Sequence, residues 1–344
     1  MSKRKVTRRQ AWRIEKIQKE RTDRASKKDD RLDEVLSGGE LGPEQPGLII
    51  SHFGKQVDVE ATEGESAGTI FRCHLRTHLG QLVTGDQIIW RKGTEYGVVV
   101  ASLPRKSELI RPTNHGELKP VAANIDQIVI TFAVEPQPFA NLIDRYLVAS
   151  ELSDIKPVLL LNKSDLITEK NRDEITHLLD RYRAIGYEVL MASTSHDEGL
   201  AELKAELKDR TSVFVGQSGV GKSSLINVLL PGVDIKVGGL SEQSRKGRHT
   251  TTTARLFHFP AGGDLIDSPG IREFALWHLE PEKLIEGFVE FKPFMGYCKF
   301  RDCKHEHEPG CAILVAIERG DISASRMDSY QRILTSLLES PNNQ

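Results

Sequence analysis

The feature that most restricts the fold of this chain is a glycine-rich segment with the spacing G-x-x-x-x-G-K-S. It follows a short strand-like apolar stretch, residues 212–215, and precedes a helical pattern. Glycines in such a loop let successive backbone N–H groups face a phosphate, and the N-terminus of the following helix adds a favourable dipole. The pattern predicts a strand–loop–helix unit of an α/β sheet that binds nucleotide phosphates. The predicted binding residues are Gly216, Gln217, Ser218, Gly219, Val220, Gly221, Lys222, Ser223 and Ser224.

Polar residues in and after this loop predict a magnesium ion beside the phosphates. Lys222 is suited to neutralise β- and γ-phosphate oxygens, and the Ser223 hydroxyl is a predicted Mg²⁺ ligand. Asp267 opens the sequence Asp-Ser-Pro-Gly at the end of another strand-like run. Its carboxylate is predicted to hold Mg²⁺ through water, and the Gly270 N–H is predicted to contact a γ-phosphate.

A second motif predicts which base the nucleotide carries. Asn162, Lys163 and Asp165 form an Asn-Lys-x-Asp sequence directly after the apolar run 157–161. The Asp165 carboxylate can accept hydrogen bonds from the N1–H and the exocyclic amine of guanine, whereas adenine presents an acceptor at N1. The motif therefore predicts guanine and disfavours the alternative of a P-loop ATPase or kinase.

A cluster near the C-terminus predicts a metal site. Cys298, Cys303, His305 and Cys311 offer three thiolates and one imidazole, and His307 is an alternative to His305 at this spacing. The residues between them are too polar for a core of unmodified cysteines. Three thiolates and a histidine form a closed tetrahedral zinc set with no open position for a catalytic water. One structural zinc ion per chain is expected.

The charge of the chain is unevenly distributed. The net charge is −2, but residues 1–31 contain 13 Lys or Arg against 5 Asp or Glu, which gives +8 there and −10 elsewhere. Such a segment, with few large apolar residues, predicts a disordered extension that contacts nucleic-acid phosphates, and a merely solubilising tail is the alternative. Since the sequence shows neither a membrane-spanning apolar run nor a secretory signal, a cytoplasmic protein without membrane contact is expected.

The pattern of apolar and polar residues changes along the chain. Short strand-like stretches with Gly-containing breaks, typical of a small β-barrel, precede residue 112. Between residues 113 and 280, apolar runs alternate with polar loops and helical patterns, which is typical of βα units around a parallel sheet. The cysteine cluster and a pattern for two helices, broken near Gly320, follow residue 281.

The motifs stand in an unusual order. The phosphate loop, Asp-Ser-Pro-Gly and Asn-Lys-x-Asp resemble the G1, G3 and G4 elements of translation-factor-type GTPases, but here G4 comes first. Ser193 and Thr194 occupy the position of a G5 loop, and residues 247–252 that of a G2 switch. The order G4, G5, G1, G2, G3 is similar to that of a circularly permuted GTPase. With the preceding barrel, the zinc spacing and the segments 105–112, 122–127, 141–148 and 267–274, the chain resembles the ribosome small-subunit-dependent GTPase family known as RsgA or YjeQ.

This resemblance implies a multidomain α/β protein that hydrolyses GTP to GDP and phosphate. It implies stimulation by the small ribosomal subunit, rRNA contact, a role in late small-subunit maturation, and a monomer. It also favours His305 over His307 as zinc ligand, and it implies backbone contacts of Ser193 and Thr194 with guanine. The implied domains are a basic extension and linker (1–45), an OB-fold β-barrel (46–112), a circularly permuted P-loop GTPase domain (113–280) and a zinc-binding helical domain (281–344).

One position departs from ordinary GTPases. Where those enzymes place a water-orienting glutamine after D-x-x-G, this chain has Ile271, whose alkyl side chain cannot orient water. His249, beside the switch threonines, is the predicted catalytic group, with a solvent-exposed switch residue as the alternative. Thr251 is the predicted third Mg²⁺ residue, and Thr250 is equally placed by sequence.

The barrel is the predicted RNA-binding surface in this resemblance. The same segment also carries acidic residues, so a solvated face is the alternative. A further alternative for the whole chain is an RNA-binding module in which nucleotide is only a structural or regulatory ligand. The basic residues of the barrel segment are Lys55, Arg72, Arg76, Arg91, Lys92, Arg105 and Lys106.

Overall fold

In a computed structural model of the chain, the described residues are 41–76, 79–112, 117–233, 254–268, 271 and 281–339. They belong to two compact units, divided between Arg105 and Lys106. The basic segment 1–31, the switch segment 247–252 and Gly270 lie outside the described residues. Within the described part of the chain, no helix combines the length and apolar character that crossing a membrane requires.

The first unit is a closed five-stranded barrel. Its strands are β1 Glu44–Phe53, β2 Gln56–Ala61, β3 Ile70–Leu75, β4 Gln87–Arg91 and β5 Gly97–Ser102. Strands β1 and β2 form a hairpin, β2 pairs with β3, and β3 pairs in parallel with β5. Strand β4 pairs with both β5 and β1, which closes the barrel and leaves none of these five strands with a free edge. This confirms the predicted OB-like barrel.

The barrel core forms around Trp90, which is fully buried. Two glycines make room for its indole: a Cβ at Gly47 would lie 2.6 Å from Trp90 Cδ1, and one at Gly97 would lie 2.9 Å from Trp90 Cε3. Cys73 is also buried in this core, as the sequence predicts for a small apolar side chain. The alternation of buried and half-buried residues along β2 fits a strand with one face toward a core.

The second unit contains a mostly parallel sheet. The strands of this sheet are β8 Gln127–Ala133, β9 Lys156–Asn162, β10 Glu188–Met191, β11 Thr211–Val215, β12 Arg255–His258 and β13 Asp264–Asp267. Their order is β10-β9-β8-β11-β13-β12, and among these six strands only β12 runs antiparallel to its neighbour. All seven residues of β8 are buried, which is typical of a strand covered on both faces. A separate hairpin, which the sequence pattern does not reveal, pairs β6 Glu108–Pro112 with β7 Leu118–Ala123.

Helices connect these strands and form the C-terminal region. The predicted break near Gly320 is confirmed: this glycine ends one helix with φ +81°, a conformation that glycine adopts without steric cost. Two 3₁₀ segments, Pro281–Gly287 and Val289–Phe294, precede the cysteine cluster. The α-helices are α1 Ala140–Leu152, α2 Arg172–Ile185, α3 Ala201–Leu207, α4 Lys222–Leu229, α5 Ala312–Arg319 and α6 Ala324–Leu338.

A buried ion-pair network joins α6 to α1. Arg326 of α6, 1% exposed, pairs with Asp144 of α1 and with Glu290, whose Oε1 lies 2.5 Å from Arg326 Nε. The Asp144 carboxylate also accepts a 2.8 Å hydrogen bond from the Tyr182 hydroxyl of α2. The Arg326 guanidinium lies 4.4 Å from the Phe288 ring centroid. Helix α6 is thus attached to the sheet domain through the buried charges of Arg326 and Asp144 and the largely buried carboxylate of Glu290.

Candidate nucleotide site and metal centre

The glycine-rich loop lies between β11 and α4, as its motif predicts. Gly216, Gly219 and Gly221 all have positive φ, at +137°, +84° and +93°. A Cβ at Gly216 would lie 2.0 Å from the Thr131 carbonyl oxygen of β8, so only glycine fits against that strand. The Lys222 ammonium donates to the carbonyl oxygens of Gly216 and Gln217 at 2.6 and 2.7 Å. This lysine therefore spans the loop across which a phosphate chain would lie.

The Asn-Lys-x-Asp motif is joined directly to this loop. Asn162 is the last residue of β9 and is 2% exposed. Its Nδ2 donates a 2.8 Å hydrogen bond to the Val220 carbonyl oxygen. A Cβ at Gly221 would lie 2.4 Å from the same Nδ2, so the close approach requires glycine. The Lys163 ammonium donates to Gly219 O at 3.0 Å and to Glu135 O at 2.7 Å. Two predicted halves of one site, far apart in sequence, are thus in hydrogen-bond contact.

Asp165 carries the carboxylate predicted to recognise guanine. Its side chain is exposed, and Oδ1 accepts a 2.5 Å hydrogen bond from the Ser193 hydroxyl. That bond is the main reason why the pKa of Asp165 lies below its ordinary value. Ser193 is buried and its Oγ in turn accepts from the Ser195 N–H at 3.1 Å, while Thr194 is exposed. The predicted G5 residue Ser193 therefore positions the charged carboxylate of the G4 motif.

The predicted magnesium residues lie at the carboxyl edge of adjacent parallel strands. Ser223 is in the first turn of α4, which follows β11, and Asp267 is the last residue of β13. Carboxyl ends of neighbouring parallel strands open onto a shared crevice. Ile271 is 1% exposed, and its N–H donates to Ser268 O at 3.0 Å. Its side chain is buried, consistent with no role in orienting water. Gly270, His249, Thr250 and Thr251 lie outside the described residues.

The cysteine cluster brings together the four residues predicted as zinc ligands. One atom from each of Cys298, Cys303, His305 and Cys311 lies within 4.8 Å of the others. The Nδ1 atom of His305 is 3.6 Å from Cys298 Sγ and 3.3 Å from Cys311 Sγ, and these two sulfurs are 3.9 Å apart. Zinc–sulfur bonds of about 2.3 Å in a tetrahedron give ligand separations of roughly 3.7 Å. The cluster therefore has the size and the donor set of a zinc site. His307 is exposed.

Basic residues of the barrel have different surroundings. Arg105 makes two hydrogen bonds to the buried Asp86 carboxylate, at 2.7 and 2.8 Å, which is a contact within the fold. Arg91 donates to the backbone carbonyl oxygens of Gly42 and Leu41. Arg72 is exposed, its Nε lies 2.5 Å from Asp58 Oδ1 in an ion pair, and its guanidinium lies 4.5 Å from the ring centroid of Phe53, which is itself 41% exposed. Arg72 and Phe53 thus form a cation–aromatic surface on this barrel.

Some residues of these sites carry no sequence signal. Glu135 contributes a backbone carbonyl to Lys163, and a backbone contact does not depend on side-chain type. Glu308 accepts backbone hydrogen bonds beside the zinc cluster, which depend on a loop conformation that spacing does not show. Phe53 looks in the sequence like an ordinary strand residue. The roles assigned to the predicted site residues stay predictions.

Comparisons with known proteins agree with this geometry. The family model described as RsgA GTPase matches residues 102–277. A small ribosomal subunit biogenesis GTPase RsgA from Ectopseudomonas mendocina is 61% identical over 98% of this chain and 99% of its own length. The protein of the same name from Azotobacter vinelandii is 60% identical, with the same coverage of both chains.

Two solved structures are also similar to this chain over most of its length. The crystal structure of YjeQ from Thermotoga maritima is 32% identical, with a TM-score of 0.72, and the match covers 87% of this chain and 100% of that chain. The structure of YloQ, described as a circularly permuted GTPase, is 31% identical, with a TM-score of 0.69, and the match covers 86% and 96%. The family resemblance inferred from the order of the motifs is therefore confirmed, and the chain belongs to the RsgA GTPase family.

Proposed function

We propose that this chain is a GTP hydrolase whose turnover is switched on by docking to the small ribosomal subunit during the late maturation of that subunit. The name of its curated relatives, small ribosomal subunit biogenesis GTPase, supports the partner. The observation that supports the nucleotide most directly is the contact of Asn162 Nδ2 with Val220 O, which joins the guanine motif to the phosphate loop. Asp165 does not favour adenine in this arrangement, because adenine presents an acceptor at N1 and the Asp165 carboxylate is also an acceptor.

The residues divide the binding of GTP between them. Asp165, held by Ser193, accepts from the guanine N1–H and amine, and the loop from Gly216 to Ser224 surrounds the phosphates with N–H donors. When GTP binds, the Lys222 ammonium exchanges its hydrogen bonds to the carbonyl oxygens of its own loop for contacts that neutralise the β- and γ-phosphates. Bound Mg²⁺ supplies charge neutralisation at the phosphates. Ser223 and Thr251 or its neighbour Thr250 are the proposed ligands, Asp267 would hold the ion through water, and Gly270 is proposed to contact the γ-phosphate.

Slow hydrolysis in isolation follows from the residue after D-x-x-G. The Ile271 side chain is buried and has no polar atom with which to hold an attacking water. His249, in the switch segment, is the proposed group that orients this water. We expect it to reach the γ-phosphate only when the chain is docked on the ribosomal subunit. Docking would then control hydrolysis, and the GDP form would be released.

The zinc cluster has a proposed structural role. Three thiolates and His305 Nδ1 fill a tetrahedron, so no position is open for substrate or water. Zinc bound there links the loop 298–311 to the start of α5, which begins directly after Cys311. We assign one zinc ion per chain to this cluster.

The proposed rRNA contacts involve the barrel and the basic extension. Phe53 offers an exposed ring for base stacking, and Arg72 lies above it. Arg72 pairs with Asp58 in this structure, so a phosphate bound there would compete with that carboxylate for the guanidinium. The +8 charge of residues 1–31 supplies further phosphate contact. A cytoplasmic, monomeric protein is consistent with this proposal.

Phosphate release by the full-length protein, measured with small and with large ribosomal subunits added separately, tests the proposed function. Small subunits should raise the rate of GTP turnover at least about 10²-fold, and large subunits should not. The His249→Ala variant should bind GTP normally and lose this stimulation, because its change affects only the orientation of water.

Three results would contradict parts of this proposal. Equal rates with and without small subunits would favour the alternative of an RNA-binding module that uses nucleotide only as a ligand. Equal stimulation by the two subunits would remove the proposed partner. A His249→Ala variant that is stimulated like the parent would transfer the catalytic role to another residue.

A further inference from the structure

The zinc loop has an unusual backbone conformation at its histidine. His305 has φ +62°, in the left-handed region that residues other than glycine adopt infrequently. A residue in this conformation turns the N–H groups on both sides of it toward a common point, and such concavities bind anions.

The side chain of Glu308 occupies that concavity. Its Oε1 accepts a hydrogen bond from the Lys304 N–H at 2.8 Å. Its Oε2 accepts from the N–H groups of Glu306 and His307 at 2.9 and 3.1 Å. One carboxylate therefore binds the backbone immediately before and immediately after His305. The Glu308 carbonyl oxygen also accepts from the Cys311 N–H at 3.2 Å, so the same residue contacts the next ligand.

This arrangement determines which histidine faces the thiols. The Nδ1 atom of His305 lies 3.3 and 3.6 Å from the sulfurs of Cys311 and Cys298. The backbone of His307 is tied to Glu308, and its side chain is exposed. Sequence spacing alone permits either histidine, so the choice between them depends on the conformation of the loop.

We propose that Glu308 is the positioning residue of the zinc site, and that its carboxylate selects His305 over His307 and presents the Nδ1 atom to the metal. The proposal rests on the zinc binding proposed above. Glu308 does not touch the metal ligands' donor atoms in this arrangement. It acts through the three backbone N–H groups that set the orientation of His305.

The chain offers a matched control in Glu306. Glu306→Ala removes one negative charge from the same loop, as Glu308→Ala does, but it keeps the backbone N–H that donates to Glu308. The two variants therefore differ in the hydrogen bonds to the carboxylate and not in net charge. Glu308→Gln serves as a third variant, because it keeps one accepting oxygen and places an amide group against the remaining donors.

The experiment measures zinc affinity of the full-length protein by competition with a chromophoric chelator. Glu308→Ala should bind zinc about 10- to 100-fold more weakly than the parent, which is the usual effect of losing a residue that orients a metal ligand. Glu306→Ala should bind zinc like the parent, and Glu308→Gln should fall between parent and Glu308→Ala. GDP affinity depends on a separate site and should be the same in the parent and in all three variants. Unchanged GDP affinity would show that the nucleotide site of each variant is folded.

A second readout identifies the ligand atom. Long-range ¹H–¹⁵N spectra of the histidine rings, recorded with saturating zinc, distinguish imidazoles bound through Nδ1 from those bound through Nε2. The parent should give one Nδ1-bound ring that persists in His307→Ala, and Glu308→Ala should lose this single species. Where Glu308→Ala does not fold, the same comparison is made with Glu308→Gln.

The outcomes separate the two proposals. Failure of the parent to bind zinc would refute the zinc site and the role of Glu308 with it. With zinc bound by the parent, parent-like affinity or a parent-like ring spectrum in Glu308→Ala would overturn the role of Glu308 alone. An equal loss of affinity in Glu306→Ala would also overturn it, because the effect would then come from charge and not from the hydrogen bonds.

Discussion

At the scale of single residues, the proposed role of Asp165 is to distinguish guanine from adenine through the acceptor character of its carboxylate. Asp165→Asn replaces that acceptor with a mixed donor and acceptor, so the charge-assisted bonds to guanine are lost. Such bonds are worth about 1.5–3 kcal/mol, and GDP affinity should therefore fall about tenfold or more. Titration calorimetry with GDP measures this, and Asp173→Asn, an exposed carboxylate in α2, is the control.

The pH dependence of GDP binding follows from the same residue. The Ser193 hydroxyl holds the pKa of Asp165 below its ordinary value, so the carboxylate stays charged as the pH falls from about 7 to about 5. GDP affinity should be level over that range, and it should decline only when the pH approaches the lowered pKa and the carboxyl protonates. Parent-like GDP affinity of Asp165→Asn would exclude Asp165 from base recognition.

The glycines of the phosphate loop differ in what surrounds them. Gly219 and Gly221 both have positive φ, but an added Cβ at Gly219 meets only Pro136 Cδ at 4.0 Å, whereas one at Gly221 lies 2.4 Å from Asn162 Nδ2. Gly219→Ala should cost ~1 kcal/mol of unfolding free energy through backbone strain alone. Gly221→Ala should cost at least about twice as much, because it also displaces the buried Asn162 amide. Chemical denaturation without nucleotide gives both values, and equal costs would contradict the described contact.

At the scale of elements, Arg326 holds α6 against α1. Arg326→Met leaves the buried Asp144 carboxylate without its cation, and breaking a buried pair in this way costs about 3–5 kcal/mol. Arg332→Met, on the exposed face of the same helix, should change the unfolding free energy little. Urea unfolding followed by circular dichroism compares the two variants. A cost at Arg326 no larger than that at Arg332 would show that the network contributes little to the attachment of α6.

Sequence patterns predict the elements that repeat a regular signal. The buried strands β8, β9 and β11, the closed barrel and the helix break at Gly320 all follow from apolar periodicity and glycine placement. The β6–β7 hairpin does not, because Lys119 and Pro120 interrupt any alternation of apolar residues in β7. The ion pair of Arg326 with Asp144 is equally hidden, since charges at such positions look like ordinary exposed residues of amphipathic helices. Pairing between distant polar residues depends on tertiary structure, which local patterns do not contain.

The candidate site also combines features that sequence patterns predict with features that depend on tertiary structure. The motifs predict Asn162, Asp165 and the phosphate loop because their chemistry depends on side-chain type and short spacing. The contact between Asn162 and Val220 arises from the order of strands β9, β8 and β11 in the sheet, which the motifs do not state. Glu308 is hidden for another reason: its partners are backbone N–H groups, whose direction depends on φ at His305.

At the scale of the whole molecule, the basic extension carries the largest local charge. Deleting residues 1–31 removes +8, so the proposed contact of this extension with rRNA would be lost and fewer condensed cations would be released on binding. Small-subunit binding should weaken, and the dependence of log affinity on log salt should become less steep. GTP hydrolysis without ribosomes should be unchanged, because the nucleotide motifs all follow residue 121. Cosedimentation across a salt series measures this, and identical salt slopes would show that the extension does not contact rRNA.

The strand order also leads us to expect a particular sequence in which this sheet is assembled during synthesis. Strands β8, β9 and β10 are consecutive in the chain and adjacent in the sheet, so they can pair as soon as they leave the ribosome. Strand β11, which the phosphate loop follows in the chain, then pairs with the other edge of β8. We therefore expect a nascent chain of this topology to pair the strands that precede and carry the proposed base-recognition motif first, and to fold the phosphate loop against them afterwards.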